Sequence, residues 1–189
     1  MQTTFKNDPE LKDYMVQETI AHRKADELVK GTYGTTENGK WKGCAVGCAI
    51  QSLNAKLGTE HSTAHHSFLE EQSLYPEWLA RLQDTIFEGL PEADSQKWPE
   101  QFTKAIPLGV PFNELELIKW KFCAYLMKEN IERVLTLDIV DDLKKQVVDA
   151  IRGVLNVHET AITTGVWDES AAESAESAAS AAWSAARSA

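Results

Sequence analysis

Positive charge, cysteine and long apolar runs are all scarce in this chain, and each scarcity excludes a class of function. Nineteen lysines and arginines face twenty-nine aspartates and glutamates across 189 residues, a net charge of −10. That balance repels a phosphate backbone and argues against general nucleic-acid binding. Three cysteines are too few, and odd in number, for a disulfide scaffold, so free thiols in a reducing compartment are expected. No stretch approaches the length of a membrane span, and Met1-Gln2-Thr3-Thr4-Phe5-Lys6 has no apolar run behind a basic one. The expectation is a cytoplasmic protein with no membrane contact. Runs with strand periodicity are also missing, which leaves an all-α fold.

What is present is a series of amphipathic segments around Gly43-Cys44-Ala45-Val46-Gly47-Cys48, which packs two glycines and two cysteines into six residues. Asp8-Pro9 starts a helix that runs to Lys30 and stops at Gly31, with His22 and Asp26 one turn apart. Gly31 to Lys42 reads as a loop. Five basic and three acidic residues between His22 and Lys42 make it locally positive. A short buried helix follows from Cys44 to a stop at Gly58, where a first-turn thiol would be acidified by the free N–H groups. Gly47 inside that helix implies close approach by another backbone or a ligand.

Thr59 could cap a helix carrying His61, His65, His66 and Glu70. Another helix spans Glu77 to Leu90, with Trp78, Leu79, Leu82, Ile86 and Leu90 as its buried side. Prolines 91, 99, 107 and 111 leave room only for a short helix holding Phe102 and Ile106. Asn113 caps a long apolar helix through Ile131 that would serve as the central strut, and Asp138 or Asp141 begins the next. The organisation expected is a single multi-helix bundle over residues 1–165 and an Ala/Ser-rich C-terminal helix over 166–189. Serines at 170, 174, 177, 180, 184 and 188 stripe that last helix, which also holds Trp183 and Arg187 and either docks on the bundle or assembles a homo-oligomer.

Two chemical patterns stand out. Cys44-x3-Cys48-x12-His61-x3-His65 has the spacing of a two-cysteine, two-histidine zinc finger. Its intervening residues lack the large apolar side chains a finger core needs, so neither a metal nor any other cofactor is expected. Cys44 with His22 and Asp26, or with His66, supplies the residue types of a thiol nucleophile, base and orienter, so a cysteine- or metal-dependent hydrolase is a second reading.

The segments Ala21-His22-Arg23-Lys24-Ala25-Asp26, Lys42 to Cys48, Trp78-Leu79-Ala80-Arg81-Leu82, Ile86 to Pro91, Lys97-Trp98-Pro99 and Ile106 to Val110 together resemble an uncharacterised family of small bacterial and phage proteins. Relatives in that family end in a similar Ala-rich tail. The resemblance brings no established activity. It maps a family histidine and glutamate onto His66 and Glu70, and a phage origin would place the protein in the bacterial host cytosol.

The leading expectation is a non-enzymatic protein that sequesters a phosphate-bearing, nucleotide-like ligand of bacterial defence. Its site would use His22, Arg23, Asp26, Trp41, Lys42, Gly43, Cys44, Gly47, Cys48, His66, Glu70, Arg81 and Glu88. Helix N–H groups and arginines would take the phosphate, an aromatic the base, and carboxylates the ribose. An acidic module for protein partners is a third reading.

Overall fold

A computed structural model describes residues 1–188; the side chains of Ala182, Trp183 and residues 185–188 lie outside the description, as does Ala189. The expected positions Trp183, Arg187 and Ser188 therefore lie outside the described side chains. The chain is all-α apart from one small hairpin, with nine α-helices among the described residues. It forms two compact units, Met1–Phe112 and Asn113–Ala189.

In the first unit α1 (Pro9–Lys24) begins as expected, with Asp8 accepting from the Glu10 and Leu11 N–H groups and Pro9 in the first turn. It ends about two turns before Gly31. Ala25 caps it and Asp26 takes φ 58°, which the α-helix does not allow. Leu28 is then free to pair beside Gly43, where Val29 N–H donates to Gly43 O and Gly43 N–H to Glu27 O. The expected loop contains a β-hairpin, β1 (Thr35–Glu37) and β2 (Lys40–Lys42), closed by Asn38-Gly39, both at positive φ. That dipeptide is the hairpin signal the strand periodicity of such short segments is too brief to give.

Helix α2 (Ala45–Leu57) runs between Cys44 as its N-cap and Gly58 in the left-handed conformation. Its residues Val46 and Ile50 have no exposure, and it is the most enclosed element of the core. Residues 59–66 form no helix; only α3 (Ser67–Glu71) does, because Asn54 Oδ1 accepts from Thr59 Oγ1 and from His61 N–H and holds that stretch as a loop. Helix α4 (Glu77–Gly89) fully buries Ala80 and Phe87, with Gln83 1 % exposed, and leaves Trp78, Leu79, Leu82 and Ile86 partly covered. The buried face is thus rotated from the expected one. Gln83 defines it by accepting from Tyr75 Oη and, through its backbone carbonyl, from Trp98 Nε1. Two short helices, α5 (Glu92–Ser95) and α6 (Trp98–Ala105), follow.

The unit is closed by residues 2–8. Phe5, Lys6 and Asn7 form a left-handed turn, φ 51°, 56° and 54°. Thr4 N–H donates to Val110 O, Phe5 N–H to Leu74 O, and Phe112 N–H to Gln2 O. Phe5 is wholly buried against the edge of Tyr75. Residues without a glycine's freedom adopt this conformation only where their surroundings compel it.

The second unit holds α7 (Phe112–Leu135), α8 (Asp141–Thr164) and α9 (Glu169–Ser188). Helix α7 is not a central strut: only Leu115 and Ala124 are buried, while Ile118, Phe122, Tyr125 and Leu126 are exposed. Gly165 ends α8 in the left-handed conformation, and Trp167 then folds back to stack on Trp120 and to meet His158. Among the described residues no helix is long and apolar enough to cross a membrane.

Candidate functional site

The thirteen residues expected to share one site fall into separate groups. The first surrounds His22, which is 8 % exposed. Its Nδ1 lies 2.6 Å from Glu27 Oε2 and its Nε2 2.8 Å from Ser52 Oγ, whose hydroxyl donates to Glu18 Oε2 at 3.0 Å. Trp41 packs on the imidazole at 5.7 Å. His22 therefore takes Glu27 as its carboxylate. Asp26 instead reaches Lys42 at 3.9 Å, and Arg23 is paired with Glu100 at 2.7 Å. Of the five cations that made this region look anion-seeking, Arg23 and Lys42 already have acidic partners, and Lys30 donates to the Leu90 carbonyl.

Glutamate, histidine and serine in a chain are the residue types of a hydrolase triad, but this serine is 2 % exposed and commits its only hydroxyl hydrogen to a second carboxylate. No acyl group could reach it. The chain of hydrogen bonds instead secures α1 and the 25–29 turn to α2 by satisfying polar groups that burial would otherwise leave costly.

The Cys44 and Gly47 N–H groups at the start of α2 are taken by the protein's own atoms and are not open to an anion. Cys44 N–H donates to Thr32 O at 2.7 Å, and Cys44 Sγ accepts from Gly47 N–H at 3.4 Å. A methyl at Gly47 would overlap the carbonyl oxygen of Tyr33 and stand 2.7 Å from its carbonyl carbon; one at Gly43 would meet the Trp41 ring and the same carbonyl. Both glycines admit the protein's own backbone. Burial, reinforced by the Asp84 carboxylate, pushes the Cys44 thiol up to about 12, and burial pushes Cys48 higher still. The expected acidified thiol is thus corrected: the dipole and the Gly47 N–H lose to desolvation. Cys48 Sγ turns to Gly43 O at 3.5 Å.

The zinc-finger pattern also fails to assemble. His61 stacks on Phe68 at 4.0 Å and His65 is exposed, while both cysteines lie in the core. His66 and Glu70 part company: Glu70 Oε2 accepts from Glu77 N–H at 2.7 Å and so caps α4, while His66 Nε2 faces Asp84 Oδ2 at 3.5 Å.

Asp84 is the centre of the second group, and the sequence reading passed over it. Cys44, Asp84 and Glu88 each place a ligand atom within 4.8 Å of the others. Asp84 Oδ1 is fully buried and has no hydrogen-bond partner among the described residues. Among the described residues Glu88 accepts only from Gly31 N–H, at 3.1 Å to each oxygen. Tyr33, 41 % exposed, stands edge-on to His66 at 5.3 Å, and burial and the negative charge of Asp84 raise its phenol. Arg81, one turn before, is turned to Glu77 at 2.5 Å. The available signal was the spacing of Asp84 and Glu88, four apart on one helix, which places both carboxylates on one face.

No family model, curated protein or solved structure matches this chain. The site has to be judged on its own chemistry. A hollow of about 550 Å³ does lie beside the end of α2, lined by Gln51, Asn54, Gly58, Thr59 and His61 among others. Of the candidate ligand and metal residues named from the sequence, His61 alone is among the described residues lining it.

Proposed function

We propose that this protein is a non-enzymatic binding protein and that its ligand presents a positive or hydrogen-donating group to Cys44, Asp84 and Glu88. The observation that carries this reading is the orphaned Asp84 Oδ1, fully buried beside a second carboxylate and a thiol. A buried carboxylate oxygen with no donor costs stability unless a partner arrives. Catalysis is disfavoured by the same geometry: the thiols are held protonated by burial, and both nitrogens of His22 are engaged. A phosphate-bearing ligand gains little here, because the nearby carboxylates repel it and Arg23, Lys42 and Arg81 are already paired. Sequestration of a defence signal rests on the resemblance alone and on none of these contacts.

Thermal unfolding of the purified protein against divalent cations, polyamines, guanidinium compounds and nucleotides tests the reading. Cationic ligands are expected to raise the melting temperature of the wild type and not of Asp84→Asn. A rise with nucleotides alone, retained in Asp84→Asn, would contradict it.

A further inference from the structure

We infer that Cys44, Asp84 and Glu88 bind a divalent transition-metal ion of the zinc type, a proposal that rests on the cation-binding reading and names its ligand. Three observations converge on it. The donor set is mixed, one sulfur and two carboxylates from two different elements, the N-cap of α2 and one face of α4. Its ligand atoms lie within 4.8 Å of one another. Around a tetrahedral ion, with sulfur at about 2.3 Å and oxygen at about 2.0 Å, such atoms stand roughly 3.3 to 3.5 Å apart. Closing that gap needs a contraction of up to about 1.5 Å, to be met by rotation of the exposed Glu88 side chain and its neighbours. Finally, Asp84 Oδ1 has no partner although it is fully buried, whereas Oδ2 faces His66. His66 holds one oxygen, and the carboxylate's other close proton-bearing neighbours are the Cys44 thiol, whose proton an ion would displace, and the Tyr33 phenol.

The choice of metal follows from the ligands. Sulfur discriminates against magnesium and calcium, which take oxygen ligands, and favours zinc or cobalt. Three protein ligands leave the fourth tetrahedral position for water or for a donor carried by another molecule. Glu88 is exposed and gives the ion a path from solvent. Cys44 binds as the thiolate and its proton passes to the buffer, so uptake strengthens with pH.

Titration of the metal-free protein with Co2+ tests the assignment, because a sulfur ligand to cobalt gives a near-ultraviolet charge-transfer band that carboxylates do not. The expected result is a saturable band at one ion per chain, abolished by Zn2+ in competition. It should be lost in Cys44→Ser, retained in Cys123→Ser, and weakened at least tenfold in affinity in Asp84→Asn and Glu88→Gln. Circular dichroism of each variant establishes that it is folded. A band that persists in Cys44→Ser, or folded wild type that shows neither band nor Zn2+ uptake by calorimetry, overturns the metal. If polyamines or guanidinium compounds still raise the melting temperature through Asp84, the metal assignment fails and the cation-binding reading stands. If no cation of any kind does so, both fail.

Discussion

Replacing Gly47 by alanine isolates the contact on which the Cys44 end of α2 depends. Alanine is the better helix former by about 1 kcal/mol, so propensity alone predicts stabilisation. Against it stands the Tyr33 carbonyl, which a methyl group would overlap, with the carbonyl carbon only 2.7 Å away. Backbone cannot rotate aside as a flexible side chain can. Displacing Tyr33 also pulls on its neighbour Thr32, whose carbonyl receives the buried Cys44 N–H at 2.7 Å. Overpacking costs about 1–3 kcal/mol, and an orphaned buried N–H about 1–3 more. The net expectation is a loss of about 3 kcal/mol. For a unit spanning Met1–Phe112, an unfolding entropy of about 2.1 cal/mol/K per residue makes each kcal/mol worth about 4 °C. Gly47→Ala should therefore melt about 12 °C below the wild type, and urea denaturation should show the same loss at an unchanged slope. A variant within about 4 °C of the wild type would show that the Tyr33 backbone yields freely, and the reasoning would be wrong.

Asp84→Asn should raise the stability of the ligand-free protein by about 1 kcal/mol, since it removes a buried charge whose Oδ1 is unpartnered; a loss seen in urea denaturation would mean that the His66 contact outweighs the desolvation. Phe5→Ala should cost about 3–5 kcal/mol by emptying a fully buried site, read from the same curves. Native labelling with iodoacetamide at pH 8 should modify the half-buried Cys123 well before Cys44, held at about 12, or Cys48; peptide mass spectrometry locates the label, and early modification of Cys44 would contradict its burial. Burial, with Lys119 adding repulsion, lowers the His158 imidazole below its ordinary value of about 6.5. The unfolded chain then takes up a proton that the folded chain refuses, so this contribution is complete above about pH 6.5 and is lost as pH falls towards the lower folded value. Acidification from pH 7.5 to 5.5 should destabilise the second unit, and His158→Gln should reduce the slope.

Helix identity was legible in the sequence wherever a cap and a stop flanked a periodic segment. Asp8-Pro9 and Gly58 are clear cases, and the all-α class followed from them. Faces were less legible. The polar Gln83 lies at the centre of the buried side of α4, because two aromatic hydroxyl and indole groups use it as a hydrogen-bond partner. Periodicity assigns such a residue to solvent. The site was half legible: Cys44 and Glu88 could be picked out by type, but the choice among His22, His66 and Asp84 as their companions depends on which side of α2 each element packs. Spacing along the chain carries no such information. Glu27, rather than Asp26, reaches His22 because α1 stops at Lys24 and Asp26, at φ 58°, turns the chain so that Leu28 pairs beside Gly43.

The left-handed turn at Phe5 to Asn7 bears on the order in which the first unit can form. Thr4 is bound to Pro107 and Val110, and Gln2 to Phe112, more than a hundred residues along the chain. On a ribosome those partners emerge last, so the segment synthesised first in this unit must wait, with Phe5 exposed, until nearly all of the rest has been made. Contacts of such long separation are slow to form and rewarded late. The final step is thus the docking of one short, conformationally unfavourable strip, and a chain released before Val110 would hold most of its helices and lack its latch.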